Sequence, residues 1–416
     1  NIFKLPINNK VTVAVIDSGV DFDHPDIKSR IKINTAETSN NTDDDGNGLK
    51  DDIYGYNFNG YSYGKDNADV YDYVGHGTHI AGIVGAIVNN NLGVVGLNPD
   101  VDIIPVSFLD KSAQGTQLEA ALAISYAVDR GAKVINCSWG FKYRTNTLYD
   151  AIKYAYSNNV VVIAAVGNNG SETTKYPAGF DEVISVSSIN NNETFSRFSN
   201  YGFHVDFTMY GEKVYSLMPE RSFEYKSGTS QSTAILSGII SRILAYDSTI
   251  TPTQMKVLLQ KSAKDISIPG VDQYTGHGLP QIDSLITLLN IEVASTFERL
   301  KEGNSPPNYD DIIFTVEEFG VTKIMNFPNP IPASGTKFGF ECTVAPTDIS
   351  ITVYDISGKP LKTLEEKVLL TGYQTIDWDG NSDWGTALPN GTYFYTFNAV
   401  NKGEKVLRTK KLSILR

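Results

Sequence analysis

Asp17, His76 and Ser230 lie far apart in the chain, yet each sits where nucleophilic chemistry could use it. Asp17 ends the apolar run VTVAVID (11–17), and functional side chains of open α/β sheets collect at the carboxyl ends of strands. His76 lies in GHGTHIAGIVGAIV (75–88), a Gly-rich turn that opens an apolar helix. Ser230 opens another helix in SGTSQSTAILSGIISRIL (227–244). Attack on a carbonyl needs a hydroxyl, an imidazole to take its proton, and a carboxylate to fix the imidazole's tautomer. Each piece alone is weak evidence. An Asp after a strand is often a turn residue, and a Ser beside Gly is often only a helix N-cap. His24, His79, His204 and His277 have no evident task, and the HGTH pair lacks the i, i+4 spacing of a zinc-binding helix. The three residues together point to a nucleophile with its base.

The elements that must hold them are legible from periodicity. VTVAVID, VDIIPVSFL (101–109), KVINCSW (133–139), VVVIAAVG (160–167) and EVISVSS (182–188) are short, β-branched and nearly continuous, as strands buried on both faces of a parallel sheet are. TQLEAALAISYAVDRG (116–131) and NTLYDAIKYAYSNN (146–159) place apolar residues at helical spacing between them. Such alternation predicts a doubly wound, mainly parallel α/β domain over residues 1–290. TPTQMKVLLQKSA (251–263) reads as a helix with Thr251 as N-cap, Pro252 in the first turn and Gln254 completing a capping box. A polar segment with a Pro pair, ERLKEGNSPPNYDD, lies within an expected linker, 291–326. From Phe327 the pattern becomes all-β, with alternating stretches such as ISITVYDISGK and GTYFYTFNAV, which predicts a small β-sandwich over 327–416.

The chain resembles the subtilisin-like serine peptidases over about residues 8–290, through VIDSGVD, GHGTHIAG, AAVGNNG and SGTS. The resemblance implies a secreted endopeptidase in which Asp17 orients the imidazole, His76 is the general base and Ser230 attacks the carbonyl. It also makes Asn168 the side-chain donor to the oxyanion. CSWG resembles the strand that pairs with substrate backbone, implicating Ser138, Trp139 and Gly140, and AQGT resembles the opposing strand, implicating Gly115. A protein or peptide substrate would lie extended between them. Trp139 is larger than the usual aliphatic residue and is expected to narrow the pocket. The resemblance also implies that Lys175, just before Tyr-Pro-Ala, falls at the base of the pocket for the side chain before the cut bond. An ammonium there favours Glu or Asp, unless its stem carries the charge to water or to Glu172. The chain departs from the family beside the nucleophile: Gln231 follows Ser230, Ala234 takes a usual proline position, and MYG (209–211) replaces a common Ala-Pro-Gly.

In NNTDDDGNGLKDD (40–52), Asp43, Asp45 and Asn47 alternate, Gly48 allows a tight turn, and Asp51 and Asp52 follow. Clustered carboxylates repel unless a cation neutralises them, so calcium is the expected cofactor, against the simpler reading of a solvated acidic loop. The tail resembles the immunoglobulin-like domain of flagellar hook-capping proteins and of type IX secretion substrates, through FPNP, ITVYDISGK, WDGNSDWG and NGTYFYTF. That implies cell-surface or secretion-machinery contact. The competing class is an adhesion or scaffold protein on an inactive fold of the same family. A formal charge of −12 argues against nucleic acid. The tail holds 10 Lys/Arg against 9 Asp/Glu, which leaves −13 for the residues before it. No apolar run is long enough to span a membrane. Cys137 and Cys342 fall in different expected domains, so no bridge between them is expected. The chain begins with Asn1 and nothing in it resembles a signal peptide, so a processed end or an artificial boundary is expected there.

Overall fold

The computed structural model describes residues 2–61, 64, 67–289, 321–327, 331, 335–342, 347–356, 358–368, 372–401 and 404–415. The chain divides into two compact units, residues 1–302 and 303–416. Most of the expected linker, 291–320, lies outside the described residues, and a strand already begins at Val321.

The first unit is α/β. Its sheet strands are β1 (Val11–Asp17), β2 (Tyr56–Asn57), β3 (Val101–Ser107), β4 (Val134–Cys137), β5 (Val161–Ala165), β6 (Val183–Ile189) and β7 (Phe207–Tyr210). All pair in parallel, in the order β2-β3-β1-β4-β5-β6-β7. Every residue of β1, β4, β5 and β6 is buried, which is why these strands read as continuous apolar runs. Side chains still alternate between faces. Val11, Val13 and Val15 join one core layer and Ala14 and Ile16 the other.

Among the described residues, α1 (His76–Gly85), α2 (Gln117–Asp129), α3 (Asn146–Ser157), α4 (Thr229–Tyr246) and α5 (Pro252–Ser262) cover the two faces, and residues 282–289 are also helical. Their starts follow local chemistry. Thr116 and Glu119 form a capping box on α2, Thr145 caps α3, and Thr251 with Gln254 caps α5 as its sequence predicts. α4 is almost wholly buried, with Leu236, Ile239, Ile240 and Ile243 in the core layer shared with α1. A hairpin, β8 (Val214–Met218) and β9 (Ser222–Lys226), packs on α1, and the short pair β10 (Ala263–Lys264) and β11 (Leu279–Pro280) follows α5.

The second unit is all-β: β12 (Val321–Phe327), β13 (Thr336–Cys342), β14 (Thr347–Tyr354), β15 (Pro360–Val368), β16 (Gly372–Trp378), β17 (Gly391–Asn401) and β18 (Glu404–Ile414). They form a three-stranded sheet, β12-β13-β16, and a four-stranded one, β15-β14-β17-β18, both antiparallel. Phe338, Phe340 and Trp378 from one sheet meet Ile351, Tyr395 and Phe397 from the other in a separate core. Cys137 and Cys342 are both buried free thiols. Among the described residues no helix is long and apolar enough to cross a membrane.

Candidate active site

Parallel strands point their carboxyl ends the same way, so Asp17, Ser138 and Asn168, at or just past the ends of β1, β4 and β5, are gathered at one edge of the sheet. The first turn of α1 is brought to that edge by close backbone approach. A Cβ on Gly77 would collide with the Gly19 carbonyl, and Gly75, with φ +82°, precedes His76 where a side chain would strike Met218.

His76 Nδ1 lies 2.7 Å from Asp17 Oδ1, which also accepts the Ser18 N–H at 2.8 Å. Asp17 is fully buried, and the His76 side chain keeps 27% exposure. Burial opposes charge on this imidazole, but Asp17, through its charge and its hydrogen bond, outweighs it and raises the pKa above 6.5. The Ser230 hydroxyl donates to the Ser138 carbonyl at 3.1 Å, and Ser138 Oγ donates to the Ser230 carbonyl at 3.1 Å. Ser230 is thus clasped to the segment after β4, with its hydroxyl on that backbone rather than on His76.

Asn168 has one orientation that satisfies its neighbours. Its Oδ1 accepts from the Thr229 N–H at 2.8 Å and the Thr229 hydroxyl at 2.9 Å, so Nδ2 must face the other way, beside Gly228. The Ser230 N–H lies in the first turn of α4, where no intrahelical carbonyl is available to it. Two donors therefore flank the nucleophile.

The segment after β4 runs against residues 175–176, with Phe141 and Tyr176 exchanging backbone hydrogen bonds of 2.7 and 2.8 Å. A Cβ on Gly140 would come within 2.8 Å of Lys175 Cβ, and one on Gly167 within 3.3 Å of Lys175 Cγ. The lysine stem fills the space that these two glycines leave open. Lys175 is half-buried and makes no salt bridge to the exposed Glu172. Trp139 does not narrow this space. Its indole is buried against Phe108 and Phe141 and donates to the Ile16 carbonyl at 2.8 Å, because successive residues of an extended segment face opposite ways. Gly115 packs on Phe108, whose carbonyl lies 2.6 Å from where its Cβ would stand.

Spacing alone did not single out Asp72, which ties the site together. Fully buried, it accepts from Ser18 Oγ at 2.9 Å, from the N–H groups of Val74 and Gly75, and from the Thr78 N–H and hydroxyl. It thereby binds the residue beside Asp17 to the first turn of α1. An acid just ahead of a helix is the available signal, and it is a common one. His79 has a structural task. It lies 3.2 Å from the Glu224 carbonyl and 3.4 Å from Gln231 Nε2, and burial lowers its pKa to about 4.

The acidic loop splits in two. Carboxylate oxygens of Asp43, Asp45 and the buried Glu37 lie within 4.8 Å of one another. Glu37 stands outside the alternating run, so the spacing gave no hint of it. Asp43 accepts from the N–H groups of Gly46, Asn47 and Gly48, and Asn47 Oδ1 accepts from the Leu49 N–H. Asp51 accepts from the N–H groups of Asn40 and Asn41. Asp52 is engaged elsewhere: fully buried, it pairs with Arg130 at 2.8 Å and accepts from the Tyr126 hydroxyl at 2.7 Å.

Residues 8–278 match the model of the subtilase family, and residues 330–403 match that of the FlgD Ig-like domain. The chain is 35% identical over 266 residues to the thermophilic serine proteinase of Bacillus sp. (strain AK1), covering 64% of this chain and 59% of that protein. It is 36% identical over 264 residues to the cell wall-associated protease of Bacillus subtilis (strain 168), covering 64% and 27% respectively. It is 32% identical over 258 residues to thermitase of Thermoactinomyces vulgaris, covering 62% and 82%. The chain thus spans less than two thirds of the first relative and about a quarter of the second. A family match over most of the first unit, on a parallel sheet that gathers an Asp–His pair and a serine at its carboxyl edge, makes this chain a member of the subtilase family.

Proposed function

We propose that the protein is a serine endopeptidase in which Ser230 is the nucleophile, His76 its general base and Asp17 the group that orients and charges the imidazole. The observation that carries this is the 2.7 Å bond from His76 Nδ1 to a buried Asp17, which fixes the tautomer that leaves Nε2 free to take a proton. For attack, Ser230 Oγ exchanges the Ser138 carbonyl for His76 Nε2 by rotating about χ1. The negative oxygen that forms is met by Asn168 Nδ2 and the Ser230 N–H, donors already aimed by Thr229 and by the helix start. His76 then gives its proton to the leaving amine, and water repeats the sequence on the acyl-enzyme. The substrate lies extended along residues 138–140, opposite Gly115. With its stem between Gly140 and Gly167, Lys175 would bring an ammonium to the base of the pocket, which favours Glu or Asp before the cut bond. Labelling of Ser230 by a fluorophosphonate tests the assignment. An intact, folded protein that never labels refutes it.

Glu37, Asp43 and Asp45 offer a hard, all-oxygen donor set of the kind calcium takes, and subtilases generally bind calcium. These three residues would hold the ion, with Asn47 and Asp51 shaping the loop around them. Its chemistry there is structural, neutralising three neighbouring carboxylates. Secretion to the cell exterior fits a relative named for the cell wall, and the tail sandwich serves surface or secretion-machinery contact.

A further inference from the structure

β18 carries Lys405, Arg408, Lys410 and Lys411, all exposed, along one edge of the tail sandwich. Its sheet neighbour is β17 alone, and Ile331 bonds to this end of the chain at Ser413 and Leu415. Among the described residues, therefore, no backbone partner is bonded to the edge from Lys405 to Lys411. By sequence the two strands hold a single acid, Glu404. Lys337, Lys362 and Lys367 of the same unit each lie beside an aspartate, whereas none of the four β18 cations makes an ion pair among the described residues. Arg408 donates to the carbonyl of its own neighbour Leu407, at 3.0 Å.

Lysines on an open edge can simply keep strands of other chains from pairing there. The opposite edge of the same sheet sets the scale for that need. β15 also has one neighbour, but it mixes signs: Lys362 pairs with Asp383 at 3.1 Å, Lys367 lies 3.9 Å from Asp348, and Glu365 and Glu366 stand between them. One edge is thus left open without a block of like charge, and edge protection alone does not account for the other. Apolar groups accompany the cations. Lys405 lies opposite Val400, Leu407 opposite Asn398 and Lys411 opposite Phe394, so all six side chains share the outer face, with Arg408 and Lys410 flanking the edge from the other side. Leu407 is 51% exposed and Phe394 40%. Ammonium groups interleaved with exposed apolar ones match a layer of phosphate headgroups over acyl chains. A hydrated polyanion would leave Leu407 and Phe394 without a partner.

We propose that the β18 edge docks on anionic lipid headgroups and holds the protein at a membrane surface without spanning it. This deepens the surface-contact reading of the tail and rests on it, and it is independent of the peptidase reading. The residues before Phe327 carry a formal −13 and are repelled by such a surface. That repulsion is screened within about 8–10 Å at physiological salt, so the side chains in contact decide the outcome.

The test is co-sedimentation of the whole chain with phosphatidylcholine vesicles containing about one third phosphatidylglycerol, against phosphatidylcholine alone, at about 0.1 M salt. Anionic vesicles should bind about tenfold more protein or better, and salt near 1 M should remove the difference. Reversing the four charges together (Lys405→Glu, Arg408→Glu, Lys410→Glu, Lys411→Glu) should lower the partition coefficient by about a hundredfold or more, since each basic residue at such a surface contributes about fivefold. Changing the three lysines to arginine should keep binding, and Leu407→Ser should weaken it severalfold with every charge in place. An unchanged melting curve, expected at exposed positions, excludes unfolding as the cause in each variant. Equal binding to neutral vesicles, or binding that survives charge reversal, overturns the proposal. Retention on dextran sulfate with no binding to anionic vesicles overturns it in favour of a lipid-free polyanion and leaves the surface-contact reading standing. A chain that binds neither of these nor isolated cell envelopes overturns that reading as well.

Discussion

At the carboxyl edge of the parallel sheet, residues separated by scores of positions meet with their polar groups buried: Asp17 and Asp72 are fully enclosed, and Ser230 nearly so. The tail sandwich is built the other way. Along β14 buried Thr347, Ile349, Ile351 and Val353 alternate with more exposed Asp348, Ser350, Thr352 and Tyr354, so most polar side chains of this strand lie on its outer face and its inner face is largely apolar. It contains no histidine. Parallel strands need crossovers, and each crossover returns a loop or helix start to the same edge, where side chains from distant segments can converge. Antiparallel neighbours joined by short turns bring few distant loops to one place. One region concentrates reactive groups and the other provides a self-contained surface.

The largest effect should come from the sheet edge. Ser230→Ala is expected to lower kcat by about 10⁶-fold, the size known for the corresponding change in subtilisin, with the far-ultraviolet spectrum unchanged. Residual turnover within tenfold of wild type would show that the chemistry lies elsewhere.

Asp17→Asn should cost about 10⁴-fold, by loss of the tautomer that aims Nε2 at the serine. The pH profile carries the sign. Catalysis needs neutral His76, whose pKa is raised above 6.5 because Asp17 outweighs burial, so the wild-type acid limb should lie above pH 6.5. Without the carboxylate, burial prevails and the limb of the residual activity should move to lower pH. A limb that stays in place would uncouple the pair seen at 2.7 Å.

The sandwich should break independently. Phe397 is fully buried and its ring packs 4.8 Å from that of Phe340, so Phe397→Ala should destabilise the tail by about 3–5 kcal/mol. Turnover of a small peptide should change less than twofold, as it should when residues 327–416 are removed. A parallel collapse of activity would mean that the two units do not act separately.

The smallest expected effect is on the acidic loop. Chelation should lower the melting temperature of the first unit, since an ion bound only by the folded state contributes about 2.7 kcal/mol at one hundred times its dissociation constant. Asp43→Ala should remove the sensitivity, and Asp52→Ala should not, because Asp52 serves Arg130 and Tyr126. A melting curve indifferent to chelator in the wild type would reduce the cluster to a solvated loop.

The sequence by itself was enough for the element types and the residues that could react. Strand runs buried on both faces, the Thr251–Gln254 cap and the alternation of the tail all follow from interactions within a few residues, and such interactions leave their period in the chain. The motifs around Asp17, His76 and Ser230 were legible for the same reason, being tight turns with strict local demands. Tertiary structure decided which partner each polar group takes. Spacing put Asp52 with Asp43 and Asp45, but Arg130 and Tyr126 claim it and Glu37 joins the other two. Size suggested that Trp139 would crowd the pocket, whereas the Ile16 carbonyl and two phenylalanines hold it in the core. Asn168 is turned by Thr229, and the two ends of the site are joined through Asp72. Each of these outcomes is set by contacts between segments that the chain order keeps apart, where the best-placed partner wins a buried hydrogen bond that neither segment's local sequence encodes.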